Sequence, residues 1–300
     1  MKHSSNFRKG YTFIFLSLLS TTIFSLTADF LFRQNPTVNP ANMLFWSIAW
    51  ALILATPFFF WFSTQRRKVR KLLAQDFDKI LLIGAISFVG ATLWNYALKA
   101  SSAGILTLMS KTTFLLTVFL GVAFLDEKIN KKESGALLVV ILGLVCIANL
   151  KWEVTFIALV YTFLSSCCYA ILSLLIKRLW KEADMKSVAY LRALCVSIFL
   201  FIFLYITGQL VIPPRQILIF WPLSEIFGII LWAVFYFEAH RFLPISKLNV
   251  FGIIEVAIVP IWAFLVFGDA ISLQKILWAV LIFAGIAWFF HEQVQEQFKS

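Results

Sequence analysis

The sequence predicts an all-α membrane protein whose ten transmembrane helices form two inverted five-helix repeats. Three observations predict this fold class. Of the 300 residues 61% are hydrophobic and 14% charged, apolar stretches of membrane-spanning length recur throughout, and the chain aligns with itself after one shift. A soluble domain has about 45–50% apolar and about 25% charged residues, and its hydropathy lies well below the mean hydropathy of +0.88 found here. A helical bundle is expected, since lipid offers no partner for backbone N–H and C=O groups.

Each predicted helix is an apolar stretch of roughly 17–25 residues, the length that crosses about 30 Å of hydrocarbon. The first stretch follows a basic tail, as a signal peptide does. It spans 21 residues without an A-x-A cleavage site, so an uncleaved helix is predicted. The ten predicted spans are 11–31, 43–62, 80–98, 103–125, 134–150, 154–176, 187–207, 217–239, 246–267 and 273–290.

Positive charge is unequally distributed between the two sides of the predicted bundle. With the N-terminus inside, 19 of the 26 Lys and Arg residues lie on the cytoplasmic side and five on the outer side. Cytoplasmic loops retain Lys and Arg, so both termini are predicted in the cytoplasm and the protein in the cytoplasmic (inner) membrane. The same asymmetry accounts for most of the net charge of +11, so no nucleic-acid binding is predicted. The run RRKVRK at 66–71 is interpreted as a topology determinant, and contact with anionic lipid headgroups is the alternative.

The sequence lacks the constellations that are typical of metal sites and enzymes. Four cysteines (Cys146, Cys167, Cys168 and Cys195) lie within predicted spans without C-x-x-C spacing, and the three histidines are scattered. We therefore predict no disulfide framework, no metal and no cofactor. The sequence has no GxSxG motif and no pair of aspartates within a span, so the protein is predicted not to be an enzyme. It also has no P-loop of the form GxxxxGK[ST], so ATP is not the predicted direct energy source.

The two halves of the chain align with each other. A shift of 142 residues brings 99–129 over 241–271 without a gap, which covers two spans and the acidic loop between them. Two domains are predicted, 1–150 and 151–300. Each contains five spans, an odd number, so the second half must enter the membrane in the opposite sense. In transporters, such inverted repeats flank a binding site at the midplane.

Short motifs within the aligned segments carry a resemblance to a known family. The acidic turn LDEKI at 125–129 and the glycine-containing helix ESGALLVVILGLV at 133–145 are echoed by FGDAI at 267–271 and LIFAG at 281–285. Together these segments resemble the EamA-type repeats of the drug/metabolite transporter superfamily. The resemblance covers essentially the whole chain and implies a membrane transporter with a central cavity.

Two charged residues lie near the middle of predicted spans. Lys111 lies in the fourth span and Glu255 in the ninth, which is its counterpart in the repeat. Insertion scales give about 2.5–3.5 kcal/mol for an ionised side chain at the centre of the bilayer, so neither is expected to face lipid. The repeat places the two charges close to the axis, and we predict a midplane ion pair for which a substrate carboxylate or amine competes. A static pair that fixes helix register is the alternative.

Polar and aromatic side chains at helical spacing extend this predicted site. An aromatic face beside a carboxylate suits an organic cation, and core packing is the alternative. Hydroxyl stripes in the first and sixth spans are predicted to line a wet cavity, and hydrogen bonding between helices is the alternative. Arg192, a few residues into the seventh span, is expected to extend its side chain to the cytoplasmic interface. The cavity residues predicted besides Lys111 and Glu255 are Thr107, Ser110, Phe114, Phe251, Trp262, Asn95, Tyr169, Ser166, Thr22 and Asp29.

These features predict a secondary transporter that moves a small polar or amphipathic metabolite, an amino acid-like compound or an organic cation, across the cytoplasmic membrane by alternating access. Its predicted partners are this small-molecule substrate and the lipid bilayer. Protons are the hypothesised coupling ion, because a carboxylate at Glu255 in a low-dielectric site can carry a proton, although a nearby Lys111 opposes this. A non-transporting membrane scaffold or lipid-handling protein is the alternative.

Overall fold

Every regular element that the structure describes is helical, which confirms the predicted fold class at this level. The computed structural model describes residues 2–126, 129–148, 156–179, 184–214, 226–243, 252–268 and 273–299. The helices are α1 (Lys2–Gln34), α2 (Pro40–Trp61), α3 (Ser63–Gln75), α4 (Phe77–Ala100), α5 (Ala103–Met109), α6 (Thr112–Leu125), α7 (Lys131–Ala148), α8 (Phe156–Leu179), α9 (Met185–Ile206), a π-helical turn (Ile226–Leu231), α10 (Trp232–Phe242), α11 (Gly252–Phe267) and α12 (Leu273–Lys299).

Six helical segments are long and apolar enough to cross a membrane, by length and composition. They correspond to the first, second, third, fourth, sixth and seventh predicted spans. A shorter apolar helix at Ile276–Phe289 corresponds to the tenth. The count of ten therefore stays a prediction. The six segments are Lys9–Gln34, Pro40–Trp61, Phe77–Ala100, Ile105–Leu125, Phe156–Arg178 and Met185–Ile206.

Side-chain caps define the starts of two helices. Asn39 precedes α2, and its Oδ1 accepts hydrogen bonds from the backbone N–H of Ala41 at 2.8 Å and of Asn42 at 3.3 Å. Asn130 and Glu133 form a reciprocal pair at the start of α7, each side chain accepting from the other's backbone N–H at 2.8 Å. Both arrangements satisfy N–H groups that have no partner within the helix.

The basic run RRKVRK forms part of the amphipathic helix α3. Val69 and Leu72 are buried, and α3 contacts α2, α4 and α9. On the opposite face, Lys68 Nζ lies 2.8 Å from Asp184 Oδ1 at the start of α9. The run is therefore an ordered helix attached to the bundle through one apolar face and one ion pair.

Contacts between helices follow the duplication of the sequence. α2 packs against α9, α5 against α11, and α7 against α12, and each of these pairs joins counterparts from the two halves. The contact of α4 with α8 likewise has its counterpart in that of α10 with α1. Such exchange of partners is what a local twofold axis produces.

Two glycines repeat this relation at the level of single atoms. The 142-residue shift aligns Gly143 with Gly285 and Val140 with Ile282. A Cβ added to Gly143 would lie 2.6 Å from Ile282 Cγ1, and one added to Gly285 would lie 2.8 Å from Val140 Cγ2. Both glycines therefore permit the close packing of α7 on α12.

The outer surface of the bundle is apolar. Large hydrophobic side chains are strongly exposed there, with Trp61 at 85%, Phe156 at 78% and Ile206 at 77%. Monomeric soluble proteins rarely expose extended apolar surface of this kind. A hydrocarbon environment therefore fits the outer faces of these helices.

Candidate functional site

Helices from both halves surround a central cavity. α1, α2, α4, the α5–α6 segment, α8, α9, the π-helical turn and α10 all contribute to its wall, and its volume is about 170 Å³. This is similar to the roughly 150 Å³ engineered cavity that binds benzene. Most of the lining is apolar, and the polar side chains on it, among the described residues, are Ser17, Thr21, Asn95, Ser110, Lys111, Thr113, Tyr169, Arg192 and Tyr236.

The fourth predicted span is interrupted at the cavity. α5 ends at Met109 and α6 begins at Thr112, and Ser110 and Lys111 between them form a tight turn, which we call the hinge. The backbone N–H of Lys111 bonds to the carbonyl of Leu108 at 3.2 Å, three residues back instead of four. The prediction of one continuous helix at 103–125 is therefore wrong. Short 3₁₀-type turns inside a helix often mark functional hinges.

Hydroxyl groups satisfy the carbonyls that the hinge releases. Ser110 Oγ donates to the carbonyl of Thr107 at 2.8 Å, and Thr112 Oγ1 donates to that of Met109 at 2.9 Å. In a continuous helix these carbonyls would accept from the backbone N–H groups of Lys111 and residue 113. Membrane helices tolerate such interruptions where Ser and Thr side chains take over the freed groups.

A second irregular backbone lies on another side of the cavity. The π-helical turn Ile226–Leu231 leads directly into α10, and Gly228 lines the cavity. A Cβ at Gly228 would lie 2.4 Å from Phe24 Cγ, so α1 and this turn approach too closely for any larger residue. Single π-helical turns occur preferentially at functional sites.

Two basic side chains lie at the cavity wall. Lys111 is 5% exposed and Arg192 is 4% exposed. The Arg192 Cζ lies 5.3 Å from the ring centroid of Trp232 and 5.6 Å from that of Phe237. The expectation that Arg192 extends to the interface is wrong, because its guanidinium is enclosed by aromatic rings of α10.

Aromatic residues of α8 and α10 form a connected wall beside Arg192. Tyr169 meets Trp232 edge to face at 5.9 Å, and Trp232 stacks on Tyr236 at 5.3 Å between ring centroids. The Tyr236 hydroxyl lies 2.7 Å from Ser173 Oγ. This wall is fixed by ring contacts and a buried hydrogen bond, so its position is preorganised.

Five of the predicted site residues line the cavity, namely Lys111, Ser110, Phe114, Asn95 and Tyr169. Thr107 and Ser166 are buried outside its lining. Glu255 lies on α11, but its side chain, like the whole of Phe251, falls outside the described part of the chain. The predicted pairing of Lys111 with Glu255 stays a prediction.

The structure places three further predicted residues away from the cavity. Asp29 is tied to Arg33, whose Nε lies 2.9 Å from its Oδ1, and its Oδ2 accepts from the backbone N–H of Ala103 at 3.0 Å. Asp29 thus joins the end of α1 to the start of α5. Thr22 is buried outside the lining, whereas Thr21 is on it. Trp262 is 49% exposed on α11, because its side of that helix faces outward.

Sequence reasoning missed Arg192, Trp232 and Tyr236. Arg192 follows the start of α9 by seven residues, or about 10 Å along the helix axis, and this depth was the available signal. Its neighbours Trp232 and Tyr236 come from a helix 40 residues later, and sequence spacing does not reveal that approach. Within the described residues, no cluster of three His, Cys, Asp or Glu side chains is placed to hold a metal.

Comparisons with known proteins agree with this architecture. A family model described as the EamA-like transporter family matches residues 8–149 and again residues 156–290. No curated protein sequence matches the chain. One crystal structure, described only as that of a protein, is similar with a TM-score of 0.66 over 99% of each chain, at 16% sequence identity. At this identity the similarity shows the fold alone.

Proposed function

Because this chain belongs to the EamA-like transporter family, and so to the drug/metabolite transporter superfamily, we propose that it is a secondary transporter of a small polar or amphipathic metabolite. The observation that carries the proposal is the central cavity at the broken helix, with the buried Lys111 on its wall. Transporter binding sites are typically formed where discontinuous helices meet between repeats. The candidate substrates are amino acid-like compounds and organic cations.

The proposed architecture is ten spans in two inverted five-helix repeats, with domains 1–150 and 151–300. The two matches to one family model and the exchange of helix partners support it. The glycine contacts between α7 and α12 add support, because each glycine meets the counterpart of the residue that the other meets. In such a transporter, one repeat rocks against the other around a fixed site.

Polar contacts at the two ends of the bundle support alternating access. At the end where α1 and α4 finish, Asn39 Nδ2 donates to Gln209 Oε1 at 2.7 Å, and Lys99 Nζ donates to the carbonyl of Val38 at 2.8 Å. At the opposite end, Lys177 Nζ donates to the carbonyl of Leu243 at 2.6 Å. We call these contacts latches. Alternating access requires that one set opens while the other stays closed.

Orientation and coupling complete the proposal. The excess of Lys and Arg favours cytoplasmic termini in the inner membrane, which puts the Asn39 latch on the outer side. Packing of α5 against α11 supports an approach of Lys111 to Glu255. Protons would then couple through this carboxylate. The competing function, a membrane scaffold or lipid-handling protein, would not depend on a basic residue inside the bundle.

Flux into proteoliposomes tests the proposal. The purified protein is reconstituted and offered labelled amino acids, quaternary amines, nucleosides and lipophilic cations. We expect saturable uptake of at least one class above empty vesicles, with loss in Lys111→Met and retention in Lys71→Met, a matched change at an exposed lysine of α3. Absence of uptake for every class, or equal uptake by both variants, would contradict the proposal. A Glu255→Gln variant that remains driven by a pH gradient would exclude that residue from coupling.

A further inference from the structure

Arg192 has an unusual position for a buried charge. Its side chain lines the central cavity, and its Nε is buried without a hydrogen-bond partner. The carboxylates that form ion pairs in the described residues are Asp29, Asp76, Asp184 and Glu292, and each is paired with another basic residue. A buried guanidinium without a carboxylate or carbonyl partner is costly, and proteins normally pair it.

Aromatic rings account for only part of the stabilisation that Arg192 needs. The rings of Trp232 and Phe237 lie 5.3 Å and 5.6 Å from its Cζ, which is within the range of cation–π attraction. Ring faces attract the positive charge but give conventional acceptors to none of the five guanidinium N–H donors. The aromatic wall therefore holds the guanidinium in position and leaves donors for a further group.

The rest of the cavity defines what that group is attached to. Leu18, Phe24, Ile48 and Phe114 line the same space, so the ligand presents an apolar body to them. Two cations and, among the described lining residues, no Asp or Glu face the cavity, which disfavours a cationic ligand. A planar carboxylate matches the guanidinium fork with two parallel hydrogen bonds.

We propose that Arg192 is the carboxylate-binding residue of the substrate site and that the substrate is a small organic acid with an apolar body, about the size of benzoate. This inference rests on the proposed transport function and narrows its substrate class from amino acid-like compounds or organic cations to carboxylates. The cavity volume of about 170 Å³ sets the size. Trp232 and Tyr169 position the guanidinium and contact the apolar body.

Thermal unfolding of the full-length protein in detergent with three matched probes tests this inference. Benzoate, benzamide and benzamidinium share one ring and nearly one shape but carry a charge of −1, 0 and +1. A ligand that binds the native state raises apparent stability with its concentration. We expect benzoate to bind at least about tenfold more tightly than the other two, as a charged hydrogen-bonded pair contributes this much.

Variants identify the residue responsible. Arg192→Met is expected to lose the preference for benzoate, and Arg192→Lys to keep a weaker one, because an ammonium retains charge without the fork. Arg67→Met, a matched change at an exposed arginine of α3, is expected to bind like the wild type. Equal binding of all three probes to the wild type would overturn the inference, whether or not the Arg192 variants fold. So would an unchanged preference in a folded Arg192→Met protein.

The binding assay does not depend on transport, so the two proposals can fail separately. Preference for benzoate through Arg192 without flux of any compound in the transport panel would reject transport and retain the carboxylate site. Flux that is unaffected in Arg192→Met would retain transport and overturn the carboxylate site.

Discussion

The packing of α7 on α12 makes Gly285→Ala a demanding test of the structure. A Cβ at position 285 would lie 2.9 Å from the backbone N of Val140 and 3.0 Å from the carbonyl O of Ala136, besides 2.8 Å from Val140 Cγ2. Two of these three atoms belong to the backbone of α7 and cannot rotate away. The helices must therefore separate by roughly 0.5 Å to restore ordinary contact distances of about 3.5 Å.

The size of the effect follows from two opposing terms. A radial gap of about 0.5–1 Å forfeits a quarter to a half of each dispersion contact, and overpacking of this kind costs about 1–3 kcal/mol. Replacing Gly by Ala within a helix contributes about 0.5–1 kcal/mol in the opposite direction. We expect Gly285→Ala to lower the free energy of unfolding by about 0.5–2 kcal/mol.

Matched glycines on α7 supply the controls. At Gly143 the nearest atom is a side-chain carbon, Ile282 Cγ1 at 2.6 Å, and the nearest backbone atom is 3.3 Å away. At Gly135 the nearest atom is the tip of the Trp288 ring at 3.3 Å. The expected order of destabilisation is therefore Gly285→Ala first, Gly143→Ala second and Gly135→Ala last.

Tryptophan fluorescence during heating in one detergent measures all three variants. A Gly285→Ala protein as stable as Gly135→Ala would refute the close backbone approach of α7 and α12. A Gly143→Ala cost that persists unchanged in an Ile282→Ala background would refute the contact assigned to that pair, because the alanine removes the atom in question.

Three further predictions concern the hinge, the basic end and the opposite latch. Thr112→Val keeps the side-chain volume but removes a hydroxyl bond to the backbone, so a loss of about 0.6–1.7 kcal/mol is expected in thermal unfolding, and no loss would contradict the hinge assignment. Burial raises the pKa of Asp184, but hydrogen bonds, chiefly from Lys68, outweigh burial and hold that pKa below its ordinary value. Its contribution is thus present above about pH 4 and lost as pH falls through the lower folded value, so the Tm deficit of Asp184→Asn at pH 7 should shrink below about pH 4, and a constant deficit would contradict this. Gln209→Ala removes the hydrogen bond from Asn39 but leaves its helix cap, so amides at 207–211 should exchange faster with little change in Tm, and unchanged protection would contradict the latch.

Hydropathy predicted the helices well because burial in lipid depends on residue type over a long window. The second predicted span, 43–62, became α2 at Pro40–Trp61, and the third, 80–98, became α4 at Phe77–Ala100. The missing residues belong to helix ends, which depend on caps such as Asn39 instead of apolar content.

The site was less accessible to sequence reasoning. Lys111 was recognisable as a charge in an apolar stretch, and the structure places it on the cavity. The hinge beside it was not, because Ser110 and Thr112 act through hydroxyl bonds to the backbone, which hydropathy does not register. Arg192 was misassigned because its burial depends on aromatic rings from the other end of the second half.

The hydroxyl bonds at the hinge conserve the number of hydrogen bonds. Straightening the helix would move the N–H of Lys111 to the carbonyl now held by Ser110, and the N–H of Thr113 to the one now held by Thr112. Every backbone acceptor would exchange one donor for another. Deep in hydrocarbon, a freed peptide group costs several kcal/mol and normally keeps helices straight. A segment that only exchanges donors can bend and straighten around a bound molecule without that penalty.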